Sequence, residues 1–292
     1  MRLTTGLPTD PRGVPDLEKA RHLEQLGYDA VGMADVIIGD GTPGLDSAIV
    51  LAAVATATER IGLEFGVLTL PLRPVALVAA QVQSLQHLSG GRVVLGVGIG
   101  GFPGSPFWRA VGAPLTGRGR WTDAALEALP GLIQGKPTLV GDDEVTLGPP
   151  ATVPPILVGG NSEAAMRRAV LYGDGWTPSL ISPAGLASKV ARLRELAGEL
   201  GRPVPSVNVG GHAILVDDRA ALESFLGVLT GPHGMPEEEA RDIPVTGDAA
   251  RVAERLAAYR EAGADAVSLG LDGRDWMRQA EILAQARERL TP

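Results

Sequence analysis

Ile61-Gly62-Leu63-Glu64-Phe65-Gly66-Val67-Leu68-Thr69-Leu70, the run Val75 to Leu88, and Arg92-Val93-Val94-Leu95-Gly96-Val97-Gly98 together decide the fold. The first segment is almost uninterruptedly apolar and is ended by Pro71, the pattern of a strand buried on both faces. In the second, Val78, Val82 and Leu85 recur at i, i+4 and i+7 and share one helix face. Ser89-Gly90-Gly91 stops that helix. The third segment is again apolar and opens into Ile99-Gly100-Gly101-Phe102-Pro103-Gly104. Strand, helix and strand in this order make a parallel pair joined by a crossover helix. Glycines at the strand exits let a planar or phosphorylated group approach the backbone.

Outward from this unit the alternation continues. Upstream, Leu3 to Leu7 reads as a first strand, and Asp16 caps a helix on which Leu17, Ala20 and Leu23 share a face. Ala30 to Ala34 reads as a second strand with Asp35 at its exit, and Asp46 caps an Ala-rich helix to about Thr58. Downstream, Phe102 to Gly119 lacks periodicity and carries Phe102, Phe107 and Trp108, so it reads as a long lid or binding loop. Arg120 to Ile133 is helical, and Lys136 to Leu147 is a hairpin excursion turning at Gly141-Asp142-Asp143. Barrel strands five to eight are read at Ile156–Val158, Gly173–Trp176, Val207–Val216 and Ala266–Leu269. Helices fall between them, and an acidic insertion spans Gly231 to Pro244. The first and last units echo each other, Leu26-Gly27-Tyr28-Asp29-Ala30-Val31 against Ala262-Gly263-Ala264-Asp265-Ala266-Val267. We therefore expect an α/β chain, residues 1–292, forming a single (β/α)8 TIM barrel with a long loop after strand four and an insertion before the last helix–strand unit. Function then belongs at the C-terminal ends of the strands.

Composition narrows the chemistry. The net charge of -8 argues against a nucleic-acid partner. The absence of cysteine excludes disulfides, thiolate metal sites and cysteine nucleophiles. The start, Met1-Arg2-Leu3-Thr4-Thr5-Gly6-Leu7-Pro8, is too short and polar for a signal peptide, and no apolar run has the length of a bilayer span. The expectation is a cytoplasmic homodimer acting on a small molecule, away from membranes.

Gly96-Val97-Gly98-Ile99-Gly100-Gly101 matches the dinucleotide G-x-G-x-x-G, but Phe-Pro-Gly-Ser-Pro follows where that motif needs a helix. It reads instead as a glycine-lined strand exit. Gly159-Gly160-Asn161-Ser162, between a strand and a helix, reads equally as a phosphate loop and as a plain helix cap. Asp35 has no cationic neighbour in sequence and is either a catalytic acid or base or a turn residue. His212, between Gly211 and Ala213, is a candidate to point into the barrel; His22 reads as solvent-exposed and His87 as structural. The histidines and carboxylates show no metal-ligand spacing.

Several motifs together resemble the bacterial-luciferase-like superfamily. They are Glu59-Arg60-Ile61-Gly62-Leu63, Gly66 to Arg73, Leu88 to Gly98, Val158-Gly159-Gly160, Gly173-Asp174-Gly175-Trp176 and the Leu26 to Val31 opening. The resemblance covers nearly the whole chain in the right order. It implies a β/α barrel using reduced FMN or coenzyme F420. It also implies a non-prolyl cis peptide at Gly66-Val67 behind the cofactor ring. Gly98, Gly100 and Gly101 then lie beside the ring, and Gly159, Gly160, Asn161 and Ser162 form the phosphate loop. One departure is plain. Where the superfamily commonly has Ala-Asp-His at the end of strand two, this chain has Ala34-Asp35-Val36. A valine carries no proton, so Asp35 and His212 become the catalytic candidates, with His212 favoured and the pocket apolar at Val36. The resulting expectation is hydride transfer with coenzyme F420 to or from a small organic substrate. The alternatives are an FMN-dependent monooxygenase and a non-catalytic flavin-binding barrel.

Overall fold

A computed structural model describes residues 1–290. Along the chain run β1 (Arg2–Gly6), α1 (Leu17–Gln25), β2 (Ala30–Met33), α2 (Ser47–Ala57), β3 (Gly62–Thr69), a 3-10 turn at Leu70–Leu72, α3 (Val75–Ser89) and β4 (Val93–Gly98). Then come α4 (Pro106–Ala110), α5 (Arg118–Ile133), β5 (Thr138–Val140), β6 (Asp143–Val145), β7 (Ile156–Gly159), α6 (Glu163–Tyr172), β8 (Gly175–Thr177) and α7 (Pro183–Glu199). The chain continues through β9 (Ser206–Ile214), α8 (Arg219–Thr230), α9 (Glu237–Arg241), β10 (Val245–Thr246), α10 (Ala249–Glu261), β11 (Ala266–Leu271) and α11 (Trp276–Glu288).

Eight of these strands pair in parallel in the order β1-β2-β3-β4-β7-β8-β9-β11, and β11 returns to β1. That closed circuit is the (β/α)8 barrel expected from the alternation. The antiparallel β5–β6 hairpin is the excursion read at Gly141, and the insertion before the last unit holds α9, with β10 directly after it. The stretch after β4 is more ordered than its sequence suggests. Ser105 caps α4 through the Trp108 amide, and α5 begins at Arg118 rather than Arg120. His22 is half-buried rather than exposed. Among the described residues, no helix is long and apolar enough to cross a membrane.

Polar residues at strand entrances lock the framework. The Glu24 carboxylate accepts from the amides of Glu59, Arg60 and Ile61. Arg92 donates to the carbonyls of Ala55, Thr58 and Ile61, joining the end of α2 to the start of β3. These contacts hold the lower end of the barrel and leave the other end free to be shaped by the site.

Candidate active site

A cavity of about 620 Å³ opens at the C-terminal ends of the strands, within the range usual for a small-molecule site. Gly6, Gly32, Gly66, Gly98, Gly159, Gly210, Gly211 and Gly270 all line it, so every barrel strand except β8 contributes at least one. Side chains at these positions ordinarily fill the top layer of a barrel. Their absence lowers the cavity floor to Glu64 and Ser268.

The wall at β3 and β4 is shaped by the Gly66–Val67 peptide, which is cis. The β3–β4 register shifts between Phe65 and Leu68. This bulge presses the Phe65 carbonyl on Gly96, where a Cβ would stand 2.1 Å from that oxygen. Val67 fills the space beside the neighbouring glycines: a Cβ on Gly98 would lie 2.9 Å from its Cγ2, and one on Gly159 3.2 Å from its Cγ1. Two of the glycines read from sequence as cofactor-facing are therefore also required by Val67. Gly100 answers to another residue, since a Cβ there would come within 2.6 Å of the Trp108 ring. At Gly101 a Cβ would meet nothing within 4 Å, so this residue faces open space at the cavity wall.

β2 ends at Met33, and the chain turns so that Asp35 and Val36 both border the cavity. Val36 presents an apolar surface there, 42% exposed. Asp35 is committed elsewhere. Its carboxylate accepts from the Thr69 amide at 2.9 Å and from both terminal nitrogens of Arg73 at 2.7 and 2.8 Å. Arg73 also reaches Asp46 at 3.0 Å. Burial alone would lower the Arg73 pKa, but Asp35 and Asp46 more than offset it, so the guanidinium is held charged. Asp35 thus belongs to a buried ion pair that holds the β2 exit to β3. Its partner lies far along the chain and sequence inspection could not supply it.

His212, on β9, borders the cavity from the opposite side. Its Nδ1 is 2.7 Å from Asp272 Oδ2, and its ring lies 4.7 Å from that of Phe225. A carboxylate only accepts, so Nδ1 carries the hydrogen of this bond and Nε2 is left to exchange a proton. Asp272, just beyond β11, was missed in the sequence reading; its only signal was its place at a strand exit.

Glu64 was also missed. It sits on β3 between the core residues Leu63 and Phe65, points to the opposite face, and is buried there. Thr4 on β1 donates to its Oε2 at 3.4 Å. Burial pushes its carboxyl up to about 7, against the pull of Thr4, Arg2, Asn208 and Ser268. β9 and β11 lie across the barrel from β3, so the Asn208 and Ser268 interactions cross the interior. Asn208 Oδ1 is buried without a hydrogen-bond partner among the described residues.

On the β7–β8 side the structure divides the proposed phosphate loop. Gly159 and Gly160 line the cavity with Thr177 and Ser179, whereas Asn161 and Ser162 lie outside the lining. The Asn161 side chain donates to the Ser179 carbonyl and accepts from its amide. Ser162 caps α6 by accepting from the Ala165 amide. Each side chain has one partner within the chain, and the Ser162 hydroxyl hydrogen and the second Asn161 amide hydrogen are left over, at exposed positions just outside the lining. Asn161 braces Ser179 at the cavity edge. Gly160 adopts a φ of +124°, a conformation that suits glycine alone, and its carbonyl accepts from Trp176 Nε1. No Lys or Arg lines the cavity among the described residues, so an anion here relies on backbone N–H groups, Thr177, Ser179 and the N-terminus of α6.

The segment after β4 covers one side. Trp108 is buried, and its indole donates to the Pro114 carbonyl. Arg118 donates to the Gly100 carbonyl at 2.7 Å, with its guanidinium 5.8 Å from the Trp108 ring. Phe102 is exposed at the rim.

The sequence profile of the family described as luciferase-like monooxygenase matches residues 9–230. The chain belongs to the luciferase-like monooxygenase family. An uncharacterised protein of Mycobacterium tuberculosis is 37% identical over 172 residues, spanning 57% of this chain. The match covers 59% of that relative's length. An F420-dependent secondary alcohol dehydrogenase in complex with an F420–acetone adduct superposes with a TM-score of 0.84 at 18% identity, covering 100% of this chain and 99% of the other. The FMN-bound oxygenating component of 3,6-diketocamphane monooxygenase from Pseudomonas putida gives 0.75 at 15% identity, covering 99% of this chain and 97% of the other. At these identities the two structures establish the shared fold.

The cavity of this luciferase-like chain fits a flavin-type cofactor. Glycines from seven strands line the slot, so a planar group can approach the strand backbones closely. Beside it, Gly160 and the α6 N-terminus offer a place for a phosphate. Of the residues read from sequence, the fold brings Asp35, Gly66, Val67, Gly98, Gly101, Gly159, Gly160 and His212 to one cavity, with Gly100 at its edge under Trp108.

Proposed function

We propose that the protein is an oxidoreductase that uses coenzyme F420 for hydride transfer to or from a small organic substrate. The observation that carries this reading is the pairing of a glycine-walled slot with one carboxylate-oriented imidazole at its rim. When bound, the deazaflavin supplies the hydride chemistry, and the chain supplies position and protons. Gly66, Val67 and Gly98 form the wall against which a planar ring is held. Gly160, Thr177 and Ser179 receive the phosphate-bearing tail. Asp272 fixes the tautomer of His212, and His212 Nε2 gives or takes the proton that accompanies hydride transfer to a carbonyl or from an alcohol. Val36 and Phe102 make the substrate side partly apolar and help exclude water. The fold-wide likeness to an F420-dependent alcohol dehydrogenase supports this reading.

A second reading is an FMN-dependent monooxygenase. The family description and the FMN-bound neighbour favour it. The discriminating experiment is a titration of purified protein with FMN and with F420, followed by absorption and fluorescence, then anaerobic turnover with short alcohols and ketones. Tight F420 binding with oxygen-independent turnover is expected. Oxygen-dependent turnover with FMN alone would replace the first reading with the second, and binding of neither would remove both.

A further inference from the structure

We propose that Glu64 is a neutral acid at the barrel floor that donates a hydrogen bond to a carbonyl oxygen of the ring bound above it. This rests on the cofactor reading given above and goes beyond it in assigning the group that recognises the buried edge of that ring. Three observations converge. Glu64 lines the cavity at its base, in register with Gly32 on β2, so no neighbouring side chain covers it from that strand. Its two oxygens have different surroundings. Thr4 binds Oε2, whereas Oε1 stands 4.0 Å from where a Gly66 Cβ would be, beside the bulge that forms the cavity wall. The remaining partners are neutral hydroxyl and amide groups, Ser268 and Asn208, with Arg2 as the cation that attracts it from β1. Of the charged groups farther up the cavity, Asp35 is paired with Arg73 and His212 with Asp272. None of these neutralises an ionised Glu64 by direct contact.

A carboxylic acid in such a setting can donate, whereas a carboxylate cannot. A ring carbonyl lowered into the slot needs a donor at the floor, because an acceptor buried without one loses the hydrogen bonds it made to water. The Glu64 hydroxyl supplies it. Ionisation would set a buried anion against the carbonyl dipole, so binding requires the protonated form.

The test is a fluorescence titration of FMN and of F420 into wild-type protein and Glu64→Gln at pH 6 and pH 8. Because only the protonated fraction binds, wild-type affinity for the bound cofactor should be about tenfold weaker at pH 8 than at pH 6. Glu64→Gln, an uncharged donor of the same size, should show no such loss attributable to the protein. Titration of the cofactor itself is common to both proteins and cancels in the comparison. Equal pH dependence in the two proteins overturns the inference and leaves the cofactor reading standing. Failure of wild type to bind either cofactor overturns both. If Glu64→Gln does not fold, infrared difference spectroscopy on wild type decides. A protonated-carboxyl stretch present at pH 6, lost at pH 8 and shifted by cofactor supports the proposal; a band indifferent to cofactor overturns it.

Discussion

Asp35 and Arg73, 38 residues apart in sequence, meet in a two-point ion pair in which the Asp35 side chain is 1% exposed. The pair ties the exit of β2 to the turn after β3, and Asp46 extends it to the start of α2. It fixes where Val36 enters the cavity wall.

Arg73→Met leaves Asp35 charged and buried without its partner. Breaking a buried pair in this way costs about 3–5 kcal/mol. Urea denaturation should show that loss in Arg73→Met and a smaller one when Asp35→Asn is added. A loss under 1 kcal/mol in the single variant would mean that the pair does not organise this corner.

Gly100 and Gly101 are neighbours with opposite surroundings. Alanine at Gly100 meets Trp108 and Thr69 and must hold a φ of +83°, whereas alanine at Gly101 meets nothing. Gly100→Ala should cost about 1–3 kcal/mol and loosen the segment over the cavity. Limited proteolysis between Phe102 and Gly117 should accelerate in Gly100→Ala and stay at the wild-type rate in Gly101→Ala. Equal rates in all three proteins would disconnect Trp108 from the glycine beneath it.

His212→Gln should lower the hydride-transfer rate by about 10²–10⁴-fold at unchanged cofactor affinity. Asp272→Asn should produce part of the same loss by freeing the ring. The double variant should be little worse than His212→Gln alone, because the two act as one unit. Stopped-flow measurement with bound cofactor reads this, and additive losses would separate the two residues.

Glu64 also predicts a pH dependence of stability. Its carboxyl is raised from 4.5 to about 7 in the folded protein. Between these values the folded chain keeps a proton that the unfolded chain has lost, so stability falls as pH rises through this window and levels off above it. The loss is about 3 kcal/mol as an order of magnitude. Glu64→Gln should therefore be more stable than wild type at pH 8, with the difference shrinking towards pH 4.5. Thermal unfolding across that range checks the sign, and a constant difference between the two proteins would contradict it.

The sequence by itself determined the barrel. Apolar strands, 3.6-period helices and glycine stops are local signals, and alternation with short links leaves one topology open. The Glu59 to Arg73 and Leu88 to Gly98 motifs carried the family resemblance, and the cis Gly66–Val67 peptide is where it implied. Tertiary structure decided the site. Asp35 looked free in sequence because its cation arrives from beyond β3, and the bond from Asn161 to Ser179 spans 18 residues that no local pattern joins. The glycines at Gly98 and Gly100 read as cofactor contacts, yet Val67 and Trp108 also require them. Glu64 was hidden within an apolar run, since a strand pattern says which residues alternate but not which face meets the barrel interior. Closure of the sheet alone puts Thr4, Glu64, Asn208 and Ser268 around one point, because contacts across a barrel join strands that no local pattern connects.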